Sequence, residues 1–420
     1  MIPPQSRHAE AFRLRGATAA GAGRGSAAAP RVAHEGLGDA KGIGNMNERQ
    51  RWLEALTFGH PDRIPLDPGW GRQSTRSRWH AEGLPRDVGN PAAEAYRLAG
   101  GRLEWPRGGE AFPVNERMIP QFEEKVIERK ARSQIVQDWK GNICEIGNEF
   151  TTEHLRNAID FVTRRWLKCP VETRADWEDM KRRYDPGDPA RLPADAAERG
   201  RRLAARSHMV IWHFSGPFWQ LREWLGFEQL CMLFLDDPEW IREMVGTWQE
   251  YVAKLMQNAL RHMVPDMIHL SEDMAYKEHA MISPAMTREF LLPCYQRWGE
   301  IIRGSGCPLY GMDSDGHVGE LIPIWIEAGI NVCDPMEVAA GNDLVEYRRL
   351  YGHRMAYRGG VDKRLIAKGG TAIEREIERL MPVIRDGGYV PGCDHGVPAD
   401  VSWPNYVRYT GLLARATGWL

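Results

Sequence analysis

Short apolar runs that end in polar, glycine-containing residues recur through the second half of the chain. They occupy 308–316 (PLYGMDSDG), 331–338 (NVCDPMEV), 355–362 (MAYRGGVD) and 389–398 (YVPGCDHGVP). Each run has the length of a buried strand, and helix-like segments lie between the runs. Strands that alternate with helices and carry reactive residues at their carboxyl ends are typical of a (β/α)8 barrel. The pattern therefore predicts an α/β fold of the TIM-barrel type.

The remaining apolar runs leave one barrel strand unassigned. Strands are predicted to begin near 64, 209, 267, 308, 331, 355 and 388. Between 101 and 168 the pattern changes to strand-like runs separated by turn residues such as Lys140-Gly141-Asn142. We interpret this segment as an antiparallel β insertion that covers the barrel mouth, and we expect the missing barrel strand within it.

Composition divides the chain into two parts. Residues 1–45 are rich in Ala, Gly and Arg and lack apolar periodicity, which predicts a disordered extension or a wrongly assigned translation start. Residues 46–420 are predicted to form one barrel domain, because α/β barrels with insertions commonly reach this length as a single domain.

Charge and cysteine usage limit the partners of the protein. Lys and Arg number 55 and Asp and Glu 57, so the net charge of -2 offers no field for binding a polyanion, and nucleic acid is not an expected partner. No apolar run approaches the roughly 20 residues of a membrane span, so no membrane partner is expected either. The seven cysteines include no CxxC pair, which predicts a reducing, cytoplasmic location.

The first of the four runs carries two carboxylates on one side. Side chains alternate with period two along a strand, so Asp313 and Asp315 point the same way and Ser314 points the other. Two neighbouring negative charges repel each other and destabilise the fold unless something offsets the repulsion. A metal ion, a cationic partner, a shared proton or water must therefore offset the repulsion there.

If the strands form a barrel, their carboxyl ends converge on one acidic cavity. Carboxylates outnumber cations in this set, so the cavity binds a cation or keeps some carboxyl groups protonated as general acids. Asp313, Asp315 and Cys393 offer a mixed oxygen and sulfur set that is compatible with zinc, although an inert buried thiol is an equal alternative for Cys393. The loop after the first predicted strand, which includes Asp67 and Trp70, should face the same mouth. The converging residues are Asp67, Glu272, Asp273, Asp313, Asp315, Glu337, Asp362, Cys393 and His395.

Several longer motifs together resemble the uroporphyrinogen decarboxylase superfamily. They are NERQRWLEALTFGHPDRIP, SGPFWQL, SPAMTREFLLPCY, DSDGHVGELIPIWIEAGINVCDPMEVAAGNDL, YRGGVD and GYVPGCDHGVPADVSWPNY, and they cover most of 46–409 in the order of the family. The superfamily contains porphyrinogen decarboxylases and corrinoid-linked methyltransferases, and the resemblance implies a single (β/α)8 barrel.

The decarboxylase branch is matched at few positions. His395 resembles the active-site histidine of that branch, and Arg72 with Arg76 resembles the arginine pair that holds substrate carboxylates. The branch's SD dipeptide has no counterpart, its tyrosine falls near Glu223 or Trp224, and its serine falls near Asp273. An acidic mouth is also unsuited to a substrate with many carboxylates.

The methyltransferase branch is matched at its metal-binding turn in a modified form. Where that branch has His-x-Cys-Gly, this chain has Asp313-Ser314-Asp315-Gly316, and Cys393 matches the later cysteine ligand. The resemblance then implies a metal or acid site of Asp313, Asp315 and Cys393, with zinc as the expected metal. It implies catalytic roles for Asp315, His395 and Glu272. Substrate contacts are expected from Asp67, Trp70, Arg72, Arg76, Asp273, Glu337 and Asp362.

Methyl transfer from a small O- or N-methyl compound to the corrinoid of a partner protein is therefore the first expectation. One alternative is a cofactor-free uroporphyrinogen decarboxylase or a related lyase, and another is a barrel that binds without catalysis. A homodimer is also compatible with the resemblance.

Overall fold

Parallel strands that follow one another in chain order form the central sheet of the computed structural model, which describes residues 46–106 and 108–420. The extension predicted at 1–45 lies outside the described residues. The sheet has seven strands in the order β1-β6-β7-β8-β9-β10-β11, and every neighbouring pair is parallel. Its strands are β1 (Glu110–Ala111), β6 (Val210–Ser215), β7 (Met267–Ser271), β8 (Leu309–Asp313), β9 (Val332–Asp334), β10 (Ala356–Val361) and β11 (Tyr389–Cys393). The α/β barrel fold expected from the alternating pattern is confirmed.

Helices follow the strands and pack outside them. Many begin at a side-chain cap or with proline in the first turn, as Asp237 and Pro238 do at the start of the longest helix. The helices are α1 (Glu48–Leu56), α2 (Gln73–Ala81), α3 (Pro91–Leu98), α4 (Thr152–Asn157), α5 (Arg174–Lys181), α6 (Ala196–Ala204), α7 (Pro217–Leu225), α8 (Phe227–Asp236), α9 (Pro238–Ala259), α10 (Pro284–Met286), α11 (Leu292–Gly304), α12 (Ile322–Ala328), α13 (Leu344–Tyr351), α14 (Lys363–Lys368), α15 (Thr371–Asp386) and α16 (Trp403–Ala416). Among the helices of the described ranges, none is long and apolar enough to cross a membrane.

The strand predicted at 64–67 is not a hydrogen-bonded strand in the structure. This segment runs beside β11, where the carbonyl oxygen of Asp67 approaches Gly392 closely, and the only ladder contact nearby is an isolated parallel bridge between Gly71 and Val397. Pro65 and Pro68 lack the N–H groups that a ladder needs, which explains the irregular backbone at this position of the barrel. The missing strand lies within 101–168, as expected: it is β1, which pairs with β6.

A second, antiparallel sheet forms the predicted insertion. Its strands are β2 (Lys125–Arg129), β3 (Ser133–Gln137), β4 (Ile143–Gly147) and β5 (Arg164–Lys168), paired in chain order. An ion pair of 2.7 Å between Lys140 Nζ and Glu223 Oε2 fastens the turn between β3 and β4 to helix α7. The segment between β4 and β5 carries Asp160 and Phe161 to the barrel mouth, where Asp160 accepts hydrogen bonds from Ser74 and Phe161 stacks on His395.

An apolar layer closes the barrel at the amino ends of its strands. The first inward-facing residues, which include Met267, Leu309 and Val332, pack with Ala55 and Leu56 of α1. Side chains two and four positions later on the same strands point to the same side but are mostly polar. A site for chemistry can therefore form only at the carboxyl ends.

We expect Asp266→Asn to lower the free energy of unfolding by about 3 to 5 kcal/mol, because it removes the buried partner of two arginines. Asp266 is fully buried at the start of β7 and accepts hydrogen bonds from Arg49 Nε at 2.7 Å, Arg206 Nε at 2.8 Å and the Val210 N–H at 2.9 Å. Chemical denaturation measures the change.

The matched control is Asp195→Asn, which removes an exposed ion pair with Arg199 on one helix face. It should change stability by less than about 1 kcal/mol. An equal loss in both variants would contradict the role given to Asp266.

Candidate active site

A cavity of about 470 Å³ opens at the carboxyl ends of the barrel strands. Its volume is that of a small-molecule site. It draws its walls from β7, β8, β9, β10 and β11 and from the loop after the irregular 64–67 segment. It is lined by Asp67, Gly69, Trp70, Arg72, Trp219, Ser271, Asp273, Asp313, Asp315, Asp334, Pro335, Arg358, Gly359, Gly392, Cys393, His395 and Gly396.

Two aspartates from adjacent strands form the floor of the cavity. Asp313 ends β8 and Asp334 ends β9, and the two are paired in the parallel register. Asp313 accepts a hydrogen bond of 3.2 Å from the Ser271 hydroxyl. Desolvation and the neighbouring carboxylates of Asp334 and Asp315 raise the pKa of Asp313 well above its usual range. Asp313 is therefore the more readily protonated of the two carboxyl groups on the floor.

Asp334 is held as the anion of this pair. Its Oδ2 lies 3.0 Å from His269 Nε2 and 3.2 Å from Arg358 Nη1. Burial by itself would raise the pKa of Asp334, but His269 and Arg358 hold that pKa below its usual range. A fixed negative charge thus lies next to Asp313.

A second histidine extends this network into the barrel. His213 and His269 are register partners on β6 and β7, and their Nδ1 atoms are 3.1 Å apart. Two facing nitrogens share one proton, so at least one of the rings carries no proton on Nδ1. Gly311 on the adjacent strand makes room for His269, because a Cβ there would lie 2.2 Å from the imidazole.

Sequence reasoning missed His213, His269, Asp334 and Arg358. The period-two alternation that singled out Asp313 could also have indicated two of them. His269 and Arg358 each lie two residues after a residue of the apolar layer at the amino ends of the strands, so their side chains point to the same side. Their mutual contacts depend on strand register, which the pattern does not provide.

Asp315 and His395 are hydrogen-bonded to each other on the cavity wall. His395 Nε2 lies 3.2 Å from Asp315 Oδ2, and this hydrogen bond raises the pKa of His395. The His395 ring stacks on Phe161 from the insertion, with ring centroids 5.6 Å apart. The Arg72 guanidinium covers the Phe161 ring at 3.9 Å. The insertion therefore orients two side chains of the barrel mouth.

Asp273 is held in an unusual backbone conformation at the edge of the cavity. Its φ of +46° lies in the left-handed region, which aspartate tolerates better than most residues. Arg222 Nη1 donates to the Asp273 carbonyl oxygen at 2.9 Å, and the Asp315 N–H donates to Asp273 Oδ1 at 3.3 Å. Desolvation and the Asp315 carboxylate raise the pKa of Asp273.

The cavity is acidic, as expected from the sequence. Five of its lining residues are aspartates and two are arginines. Arg358 is already paired with Asp334, and its Nη2 lies 3.7 Å from Asp67 Oδ2. Arg72 remains at the rim, where it contacts the Asp160 carbonyl oxygen and the aromatic rings of Trp70 and Phe161.

The structure brings most of the predicted site residues together. Those that line the cavity are Asp67, Trp70, Arg72, Asp273, Asp313, Asp315, Cys393 and His395. Glu272, Arg76, Glu337 and Asp362 are not among the residues that line it.

Each of these four residues has another position. Glu272 is fully buried behind the barrel wall and accepts a hydrogen bond of 2.8 Å from the Trp219 N–H at the start of α7. Arg76 lines a neighbouring depression beside α2, which shares Trp70 and Arg72 with the cavity. Glu337 lies behind the wall, where it accepts from the Gly316 N–H at 3.1 Å and pairs with Lys363 at 2.7 Å. Asp362 caps α14 and pairs with Arg364.

The predicted zinc ligands do not form a metal centre in the described ranges. No group of three or more His, Cys, Asp or Glu side chains there is arranged to hold a metal ion, and this includes Asp313, Asp315 and Cys393. These residues therefore do not fit zinc.

Comparison with known proteins supports the fold alone. No protein-family model and no curated protein matches the chain. A methyltransferase from Methanosarcina mazei has 14% sequence identity and a TM-score of 0.52, with 88% of this chain and 99% of that chain covered.

A second solved structure is more distant. It is a B12-independent methionine synthase from Shewanella sp. W3-18-1 in complex with selenomethionine, with 10% identity and a TM-score of 0.40 over 85% of this chain and 97% of that chain. At this TM-score the structural similarity supports no conclusion about the chain. The chain thus shares its fold with the first protein, and membership of the uroporphyrinogen decarboxylase superfamily stays a prediction.

Glu272→Gln should change how stability depends on pH. Burial raises the pKa of Glu272 to about 7, so the folded state holds this proton more tightly than the unfolded state. The stabilisation is complete below the ordinary glutamate pKa and is lost as the pH rises through about 7. Between pH 5 and 8, the free energy of unfolding of the variant should therefore rise relative to wild type by about 2 to 3 kcal/mol.

Urea unfolding at several pH values measures this difference. Glu198→Gln, at an exposed position on α6, is the control, and its free energy of unfolding should depend on pH as that of wild type does. Parallel curves for Glu272→Gln and wild type would show that Glu272 is not protonated in the folded protein.

Cys393→Ser should leave the metal content of the purified protein unchanged, because the thiol has no arranged partner ligands in the described ranges. Elemental analysis after incubation with zinc and dialysis checks this. Stoichiometric zinc that is lost in the Cys393→Ser protein but kept in a Cys231→Ser control would contradict it.

Proposed function

We propose that the chain is an enzyme that removes a methyl group from a small O- or N-methyl compound and delivers it to the corrinoid of a partner protein. The observation that carries this function is the unequal pairing of two adjacent carboxyl groups on the floor of a small-molecule cavity: Asp334 is held by His269 and Arg358, whereas Asp313 contacts only the Ser271 hydroxyl among the side chains of the described ranges. This pairing favours a proton on Asp313. An acid at this place can protonate the oxygen or nitrogen that departs from the methyl carbon.

The residues have separate roles in this reaction. The bond between the methyl carbon and the heteroatom breaks, and the proton of Asp313 passes to that heteroatom. His269 and Arg358 hold Asp334 as an anion, and its negative charge opposes ionisation of Asp313. Asp313 therefore retains its proton until it transfers it to the leaving group. Asp315 and His395 bind and orient the substrate from the wall.

The cavity is sized for a small molecule, so a corrinoid would meet this protein at the mouth of the cavity. A reduced corrinoid would supply the electron pair that accepts the methyl group. Trp70 and Phe161, which are exposed at the rim, would contact it there. The partner protein, rather than this cavity, holds the cofactor in this proposal.

The lining charges weigh against the decarboxylase alternative. A substrate with many carboxylates needs a cationic cradle, whereas Arg358 and His395, which line this cavity, are already hydrogen-bonded to Asp334 and Asp315. The fold shared with the Methanosarcina mazei methyltransferase is compatible with methyl transfer and does not by itself support it.

Free cob(I)alamin and a panel of methyl ethers and methylamines test the function, and loss of the cob(I)alamin absorbance measures the reaction. Asp313→Asn should lower the rate by about 100-fold or more, since it removes the acid. The loss should be much smaller for 4-cyanoanisole than for anisole, because 4-cyanophenolate is the better leaving group and depends less on a proton. A thermal melt should show no loss of stability, because the protonated carboxyl and the amide are both neutral.

Two results would contradict this function. One is the absence of methyl transfer from every compound of the panel, together with decarboxylation of uroporphyrinogen that needs no cofactor. The other is an Asp313→Asn rate equal to that of wild type with anisole as substrate.

A further inference from the structure

A second and larger cavity of about 800 Å³ lies next to the acidic one. It runs between strand β5 of the insertion and helices α7 and α8, and we call it the insertion groove. Trp219 and Asp273 line both the insertion groove and the acidic cavity. The two spaces therefore meet at these residues.

Large apolar side chains surround the insertion groove and remain exposed. Trp166 and Leu167 on β5 and Phe227 and Met232 on α8 all line it, with between 41% and 56% of each residue exposed. Single exposed apolar residues are ordinary, but four such residues around one concave surface form an apolar patch of the kind that marks a binding site. The opposite face of α8 already packs into the core through Leu230.

The boundary between the two cavities is held in place by Arg222. Its guanidinium lies 4.4 Å from the centre of the Trp219 ring and donates to the Asp273 carbonyl oxygen. Glu272 fixes the same boundary from behind through the Trp219 N–H. A ligand can extend from one cavity to the other only past these fixed groups.

We propose that the insertion groove binds a large apolar part of the substrate while the methylated end enters the acidic cavity. This inference rests on the proposed function and adds the substrate class, a methyl compound with an extended apolar body. The acidic cavity is lined mainly by charged and polar side chains and by glycines, which give such a body little apolar contact. The insertion groove offers apolar area at the same mouth, and its volume is within the range of small-molecule sites.

Binding of 2-methoxynaphthalene, followed by its ring fluorescence, tests the site without any methyl transfer. We expect wild type to bind it and the double variant Phe227→Ala with Met232→Gln to bind it about tenfold more weakly, since both changes remove apolar contact. Leu235→Gln is the matched control: Leu235 is on the same helix, is 75% exposed and does not line the insertion groove. It should bind as wild type does.

The outcomes separate this inference from the function on which it rests. Weakened binding in the double variant alone supports the insertion groove even if no methyl group reaches cob(I)alamin. No binding, or equal binding in all three proteins, overturns it even if small methyl compounds react. It is also overturned if the double variant slows only the reaction with a protein-borne corrinoid, because the occupant is then the partner protein.

Discussion

The charge balance on the barrel floor depends on one anion, the carboxylate of Asp334. His269 and Arg358 hold it from two sides, so its charge is compensated without a metal ion. The neighbouring Asp313 has only the Ser271 hydroxyl as a polar side-chain partner in the described ranges. In a region of low dielectric constant, ionisation of two adjacent carboxyl groups is unfavourable, and the one with hydrogen-bond donors and a guanidinium beside it ionises more readily. This asymmetry raises the pKa of Asp313 and lowers that of Asp334.

The rest of the fold makes this asymmetry possible. Parallel strands in register bring His213, His269, Asp313 and Asp334 from distant parts of the chain to neighbouring positions. The apolar layer at the amino ends of the strands closes the opposite end of the barrel. Polar side chains inside the barrel are therefore confined to its carboxyl end, which is where barrel enzymes place their active sites.

The insertion contributes to the site from outside the barrel. It supplies Phe161, which stacks on His395, and β5, which forms one wall of the insertion groove. Lys140 and Asp160 fasten it at two places, the first to Glu223 and the second to Ser74. One element thereby orients side chains at the mouth of the acidic cavity and shapes the larger cavity beside it.

The local pattern of the chain determined the elements and much of the lining of the cavity. Period-two alternation predicted the strands, placed Asp313 and Asp315 on one side, and located Asp67, Asp273, Cys393 and His395 near one mouth, because alternation and strand ends are properties of short segments. The same alternation separates Glu272 from Asp273, yet the sequence analysis placed both residues in the cavity. Pro65 and Pro68 were visible as well, and they explain why the first predicted strand has no hydrogen-bonded ladder.

Only the tertiary structure decided which groups are paired. Strand register brings His213 to His269, and it brings His269 and Arg358 within hydrogen-bond distance of Asp334. The residues in these contacts are 24 to 65 positions apart in the chain. The same is true of the insertion groove, whose walls come from the insertion and from two helices of the barrel. Charge compensation and cavity shape arise between segments, so they depend on packing rather than on the composition of any one segment.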